Sequence, residues 1–195
     1  MSDETQFRFA LLLVFLITMT VVVYHRLQAA RGGDRISRRE EGIPLAVILR
    51  LTGLLWWLAT MAYLIHPQWM AWARVELPDW LRWIGVMLGL SSGALMYWTL
   101  SNLGRNLTDT VITRASASLV TIGPYRWVRH PFYVVVLLLT LSSTLISAHW
   151  CIGLLGLSIF ILLAIRTPIE ERKLVEKFGP QYEAYMRETG RFFPR

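Results

Sequence analysis

Residues 131–166 read PFYVVVLLLTLSSTLISAHWCIGLLGLSIFILLAIR. Two apolar runs, 131–147 and 150–166, are separated only by Ala148 and His149. Each is near the roughly 20 residues that a helix needs to cross the hydrocarbon of a bilayer. Lipid leaves no unpaired backbone polar group, so the stretch reads as two helices joined by a tight turn at one membrane face.

Working outward, three further apolar stretches qualify as spans: 7–27, 45–66 and 80–101. The expectation is an all-α integral membrane bundle of five transmembrane helices, occupying 1–195 as one membrane domain. The bulk numbers agree. A hydrophobic fraction of 54% and a mean hydropathy of +0.44 exceed those of ordinary soluble domains, and nine Trp suit membrane interfaces. The first apolar run is long for a signal sequence, follows Asp3 and Glu4, and precedes no small-residue cleavage site, so it is expected to be retained. The lone Cys151 excludes a disulfide framework or a cysteine metal cluster.

The net charge of +7 lies mainly in the gaps between spans, which fits membrane orientation better than nucleic-acid binding. Arg31, Arg35, Arg38 and Arg39 fall in the first gap, Arg105, Arg114, Arg126 and Arg129 in the third, and Arg172, Lys173, Lys177, Arg187, Arg191 and Arg195 in the tail. The second gap offers Arg74 and the hairpin turn nothing. The positive-inside rule then puts the N-terminus outside, and the first and third gaps and the C-terminus in the cytosol. Gly85, Gly89 and Gly93 form a small-residue stripe on the third span, expected to serve packing within the chain rather than a dimer.

Two segments carry candidate chemistry. Gly123-Pro124-Tyr125 is a turn signal, followed by Arg126, Trp127, Arg129, His130, Pro131 and Tyr133 at the mouth of a span. On composition alone this fits an interfacial aromatic and arginine anchor, with His130 as a possible cap. Arg166 and Glu170, four residues apart, share one face if the last span continues as helix. Alternatively, Thr167 and Glu170 match a capping box with Pro168 at the first helical position, which would start a new helix there. Gly179-Pro180 divides the amphipathic tail, so that two short helices are expected beyond the last span.

The run from Leu119 through Gly123-Pro124-Tyr125-Arg126 to Arg129-His130-Pro131-Phe132-Tyr133 resembles the signature of the isoprenylcysteine carboxyl methyltransferase family and its phospholipid methyltransferase relatives. Glu170-Glu171, Phe178-Gly179, Tyr182, Tyr185 and Gly190-Arg191-Phe192-Phe193-Pro194 continue the likeness. It covers about residues 100–195 and is similar to prokaryotic five-span members. It implies N-terminal transmembrane helices in 1–101 and a methyltransferase half, 102–195, that wraps S-adenosylmethionine and yields S-adenosylhomocysteine. By matching position, Leu119, Val120 and Tyr125 would line the cofactor, and His130, Pro131, Phe132 and Tyr133 would form another wall. Glu170 would hold its polar end, and Arg166, the catalytic candidate, would face the reacting group. Ala117 stands where relatives usually carry His, so Ala117 and Ser118 would offer only backbone contacts.

The implied activity is methyl transfer to a lipophilic or membrane-partitioned acceptor: a carboxylate as in isoprenylcysteine O-methylation, an amine or a thiol. Such transfer needs alignment and exclusion of water, with no metal. The implied surroundings are a lipid bilayer, and the Arg-over-Lys bias points to a bacterial inner membrane. The competing reading is a non-catalytic membrane scaffold or transporter subunit. A transporter is disfavoured because the first three spans lack central acidic residues.

Overall fold

The computed structural model describes residues 3–30, 43–104 and 118–195. Among the described residues, six α-helices follow one another: α1 (Asp3–Ala30), α2 (Ile43–Ile65), α3 (Asp79–Leu103), α4 (Pro131–Ser147), α5 (Trp150–Phe178) and α6 (Pro180–Glu188). Short 3-10 turns occupy Pro67–Ala73 and Gly123–Arg126. No β-strand occurs among the described residues. α1, α2, α3 and α5 are long and apolar enough to cross a membrane, and α4 is a shorter apolar helix of 17 residues. Leu51, Leu54 and Leu55 of α2 are each more than half exposed, as a lipid-facing surface requires.

α3 packs against α1 and α4, and α5 against α2 and α4. The glycine stripe explains the first set of contacts. A Cβ built on Gly85 would lie 2.7 Å from Leu145 Cβ, and one on Gly89 would lie 2.5 Å from Ser142 Oγ and 2.8 Å from Val14 Cγ1. Ser142 also donates to the Gly85 carbonyl at 2.8 Å. The stripe is therefore used inside the chain, where small residues let backbones approach. Gly89→Val is expected to cost about 1–3 kcal/mol through overpacking, read as a lower unfolding temperature in detergent. An unchanged temperature would contradict the close approach.

The hairpin turn is as short as the sequence suggests. Ala148 takes a left-handed conformation (φ 54°), its N–H reaches Thr144 O, and its own carbonyl accepts from Val75 N at 2.8 Å. At this end of the bundle, Arg82 ties four helices together. Its guanidinium donates to Glu4 of α1 at 3.0 and 3.1 Å and to Ile146 O of α4 at 2.7 and 3.0 Å. Tyr63 of α2 donates to the same Glu4 at 2.7 Å, and the Phe7 ring lies 3.8 Å from the guanidinium carbon. A charge buried at a span terminus is tolerable because its hydrogen bonds are met locally.

The structure decides between the two readings of residues 166–170. Thr167-Pro168-Ile169-Glu170 starts no helix: α5 runs unbroken from Trp150 to Phe178 with Pro168 inside it. Thr167 Oγ donates to Leu163 O at 3.0 Å instead of capping. Pro at this position withdraws only one N–H from the ladder, and Pro168 itself lies on an exposed face of the helix. With 29 residues, α5 is about 44 Å long, well beyond the roughly 30 Å hydrocarbon thickness. Its last turns therefore leave the membrane, and the first of the two expected tail helices is this extension. The break at Gly179-Pro180 occurs as read: Gly179 has φ 54°, and Pro180 opens α6.

Candidate active site

The opposite end of the bundle from Arg82 gathers residues from three separate stretches. Gly123, at φ 61°, sits against Asn102 so closely that a Cβ would fall 2.6 Å from its amide. Pro124 then sets the 3-10 turn, and Tyr125 is buried beneath it. Beyond the turn, Val128 forms a parallel bridge to Gly190, in the segment after α6. Arg129 N donates to Gly190 O at 2.9 Å and His130 N to Arg191 O at 3.1 Å. Pro131 opens α4, with His130 at its N-cap position but without a side-chain cap bond. The imidazole is thereby spared for other contacts.

Those contacts are with α5. Tyr133 donates its hydroxyl proton to Glu170 Oε2 at 2.6 Å, and Arg166 Nε lies 2.9 Å from Glu170 Oε1. The i,i+4 geometry on a continuous helix makes the second contact possible. His130 stacks on Tyr133 with ring centres 5.3 Å apart. Its Nδ1 is 3.8 Å from Glu170 Oε2 and its Nε2 3.3 Å from Glu171 Oε1. Phe192 closes the aromatic wall, 6.0 Å from His130 and 5.6 Å from Phe160.

Glu171 is the residue that sequence reasoning passed over. It is 3% exposed and accepts from Arg129 Nε at 2.9 Å and Arg191 Nη2 at 2.6 Å. Arg129 in turn donates to the carbonyls of Met186 and Thr189, and Tyr185 donates to Tyr125 O. Burial holds the Tyr185 phenol up at about 12 and keeps Tyr182 and Tyr125 above their ordinary range. Tyr185 therefore remains a neutral donor at physiological pH. These bonds fasten α6 and the final segment over the Glu170 cluster. Glu170 and Glu171 point about 100° apart on the helix, yet both reach His130 because an imidazole has two nitrogens.

Of the candidates, His130, Tyr133, Arg166 and Glu170 come together. Pro131 shapes the helix start, and Phe132 is half-buried beside Tyr133, ring centres 6.2 Å apart. Tyr125 is buried at the base of the turn. Leu119 and Val120 are half-buried and Ser118 exposed on the approach to that turn. Ala117 lies outside the described residues.

Residues 83–176 match the model of the isoprenylcysteine carboxyl methyltransferase family. The chain is 32% identical over 96 residues to an uncharacterized protein, YpbQ, of Bacillus subtilis, covering 48% of this chain and 57% of that one. It is 30% identical over 118 residues to a protein-S-isoprenylcysteine O-methyltransferase of Tribolium castaneum, covering 59% and 42%. The chain thus spans about half the length of these relatives. A solved structure of the eukaryotic intramembrane Ras methyltransferase ICMT superposes with a TM-score of 0.56 at 22% identity, covering 95% of this chain and 67% of that one. The fold is that of an integral membrane protein in contact with the bilayer.

Proposed function

We propose, from the premise that residues 83–176 belong to the isoprenylcysteine carboxyl methyltransferase family, that this chain is an S-adenosylmethionine-dependent methyltransferase acting on a membrane-partitioned acceptor. The observation that carries the proposal is the meeting of Tyr133, Arg166 and His130 on the Glu170 carboxylate. Residues 102–195 form the cofactor half, the N-terminus lies outside, and the Glu170 end faces the cytosol of a bacterial cell.

The donor set suits the cofactor. Glu170 offers a carboxylate to its ammonium group or ribose hydroxyls, and the stacked faces of His130 and Tyr133 suit adenine or the sulfonium. When bound, S-adenosylmethionine supplies an electrophilic methyl group on a positively charged sulfur. Tyr133 and Arg166 hold the Glu170 carboxylate in one orientation, which preorganises it before the ligand arrives. Phe192 and Phe160 exclude water beside the rings. Arg166 also stands where it can orient an anionic acceptor, and a carboxylate acceptor attacks without a general base. An amine acceptor has to lose its proton, and a thiol acts as thiolate.

Calorimetry of the detergent-purified protein with S-adenosylhomocysteine tests the proposal. Saturable one-to-one binding is expected. Absence of binding by protein that elutes as a single folded species would overturn the reading. Transfer of labelled methyl from the cofactor into fractionated membrane lipid extracts then identifies the acceptor.

A further inference from the structure

At the Arg82 end, a hollow of about 290 Å³ is lined by Glu4, Gln68, Arg74, Asp79, Arg82 and His149 among others. This volume lies at the bottom of the range for small-molecule sites. It fits a compact polar group better than a drug-sized ligand. Trp69, Trp72 and Trp80 are each more than 60% exposed beside it, and Trp72 meets Trp150 edge to face, ring centres 5.4 Å apart. Exposed tryptophans at a span terminus mark headgroup depth in a bilayer.

The lining has a specific unmet need. His149 is 2% exposed, and its Nδ1 is 2.6 Å from the Ser147 carbonyl, so Nδ1 carries the proton and donates. Nε2 is then an acceptor, and it is buried with no hydrogen-bond partner. Burial holds His149 below its ordinary pKa, which keeps the ring neutral and Nε2 a lone pair. A buried acceptor of this kind calls for a donor. The charges around it balance: Glu4 and Arg82 pair at 3.0 Å, leaving the exposed Arg74 and Asp79 on the rim as one cation and one anion.

We propose that this hollow binds the zwitterionic headgroup of a phospholipid bearing a primary ammonium, with its N–H groups toward His149 Nε2 and the Glu4 and Asp79 carboxylates, and its phosphate toward Arg74. A phosphatidylcholine headgroup has the same net charge but no N–H. A phosphatidylglycerol headgroup has no cation. The site lies at the other end of the bundle from Glu170 and is independent of the proposed methyl transfer.

The test reconstitutes the full chain in nanodiscs of equal phosphatidylethanolamine, phosphatidylcholine and phosphatidylglycerol and quantifies the lipids retained on detergent extraction. Phosphatidylethanolamine is expected to be enriched about tenfold over either competitor. Arg74→Gln, on the exposed rim, and His149→Phe, which keeps a ring but removes the acceptor, are each expected to abolish the enrichment. Circular dichroism and a single size-exclusion peak, compared with the native chain, serve as the check that each variant is folded. Equal retention of the three lipids, or enrichment that survives Arg74→Gln, would overturn the proposal. Displacement of the lipid by soluble glycerophosphoethanolamine at matched concentration would overturn it too, by assigning the site to a free headgroup.

Discussion

Glu170→Gln is expected to abolish S-adenosylhomocysteine binding and methyl transfer while the helical bundle stays assembled. The substitution keeps size and leaves an amide oxygen to accept from Tyr133, which now donates at 2.6 Å. It removes the negative charge that Arg166 Nε faces at 2.9 Å, the charge assigned to the cofactor's ammonium or ribose. The side chains of Arg166 and Glu170 are only 13% and 15% exposed, so water substitutes poorly for the lost partner. Truncating one partner of a buried charge pair costs about 2–5 kcal/mol in binding, which is roughly 30-fold to several thousand-fold. Calorimetry gives the affinity, and circular dichroism with size-exclusion elution reports the fold. Tyr133→Phe, which deletes one oxygen, is expected to weaken binding in the same direction by a smaller factor. An affinity for Glu170→Gln within twofold of the native chain would sink the assignment of Glu170 to the cofactor.

Glu171→Ala produces a different failure. Its carboxylate meets Arg129, Arg191 and His130 at 2.9, 2.6 and 3.3 Å. The Arg129 and Glu171 side chains are 7% and 4% exposed, and removing one member of a buried pair leaves an uncompensated charge, at about 3–5 kcal/mol. The Arg191 contact adds less, because that side chain is 42% exposed and screened by water. The unfolding temperature in detergent is expected to fall by about 10 °C. Limited trypsin digestion is expected to cut in the α6 region before the spans are attacked. A tail as protease-resistant as the native one would show that the backbone pairing of Arg129 and His130 with Gly190 and Arg191 holds the cap unaided. The two variants separate two jobs on adjacent residues: Glu170, in the proposed function, holds the cofactor, and Glu171 fastens α6 and the final segment.

Much of this was legible in the amino-acid order. Membrane spans are written locally, because each helix satisfies its own backbone and must be apolar along its length. α1, α2, α3 and α4 begin and end within a few residues of the runs read from the sequence, and the Ala148-His149 turn falls where it was expected. The Arg166 and Glu170 pair was also readable, since i,i+4 spacing is a local rule. The rule holds only if the helix continues, and here local signals misled. Thr167, Pro168 and Glu170 form a good helix start in isolation, yet α5 passes through them, with Thr167 donating back to Leu163 O instead of capping.

What the chain order by itself determined is the number of apolar helices, the hairpin and the i,i+4 carboxylate–guanidinium pair, all set by interactions within a few residues. Tertiary structure alone decided that Glu171 gathers Arg129 and Arg191, that Phe192 closes on His130, and that Arg82 joins α1, α2 and α4. Those partners lie between 19 and 78 positions apart in the chain. The reason is physical: a buried charge takes whichever partner the packed helices bring within about 3 Å, and sequence spacing carries no record of that distance.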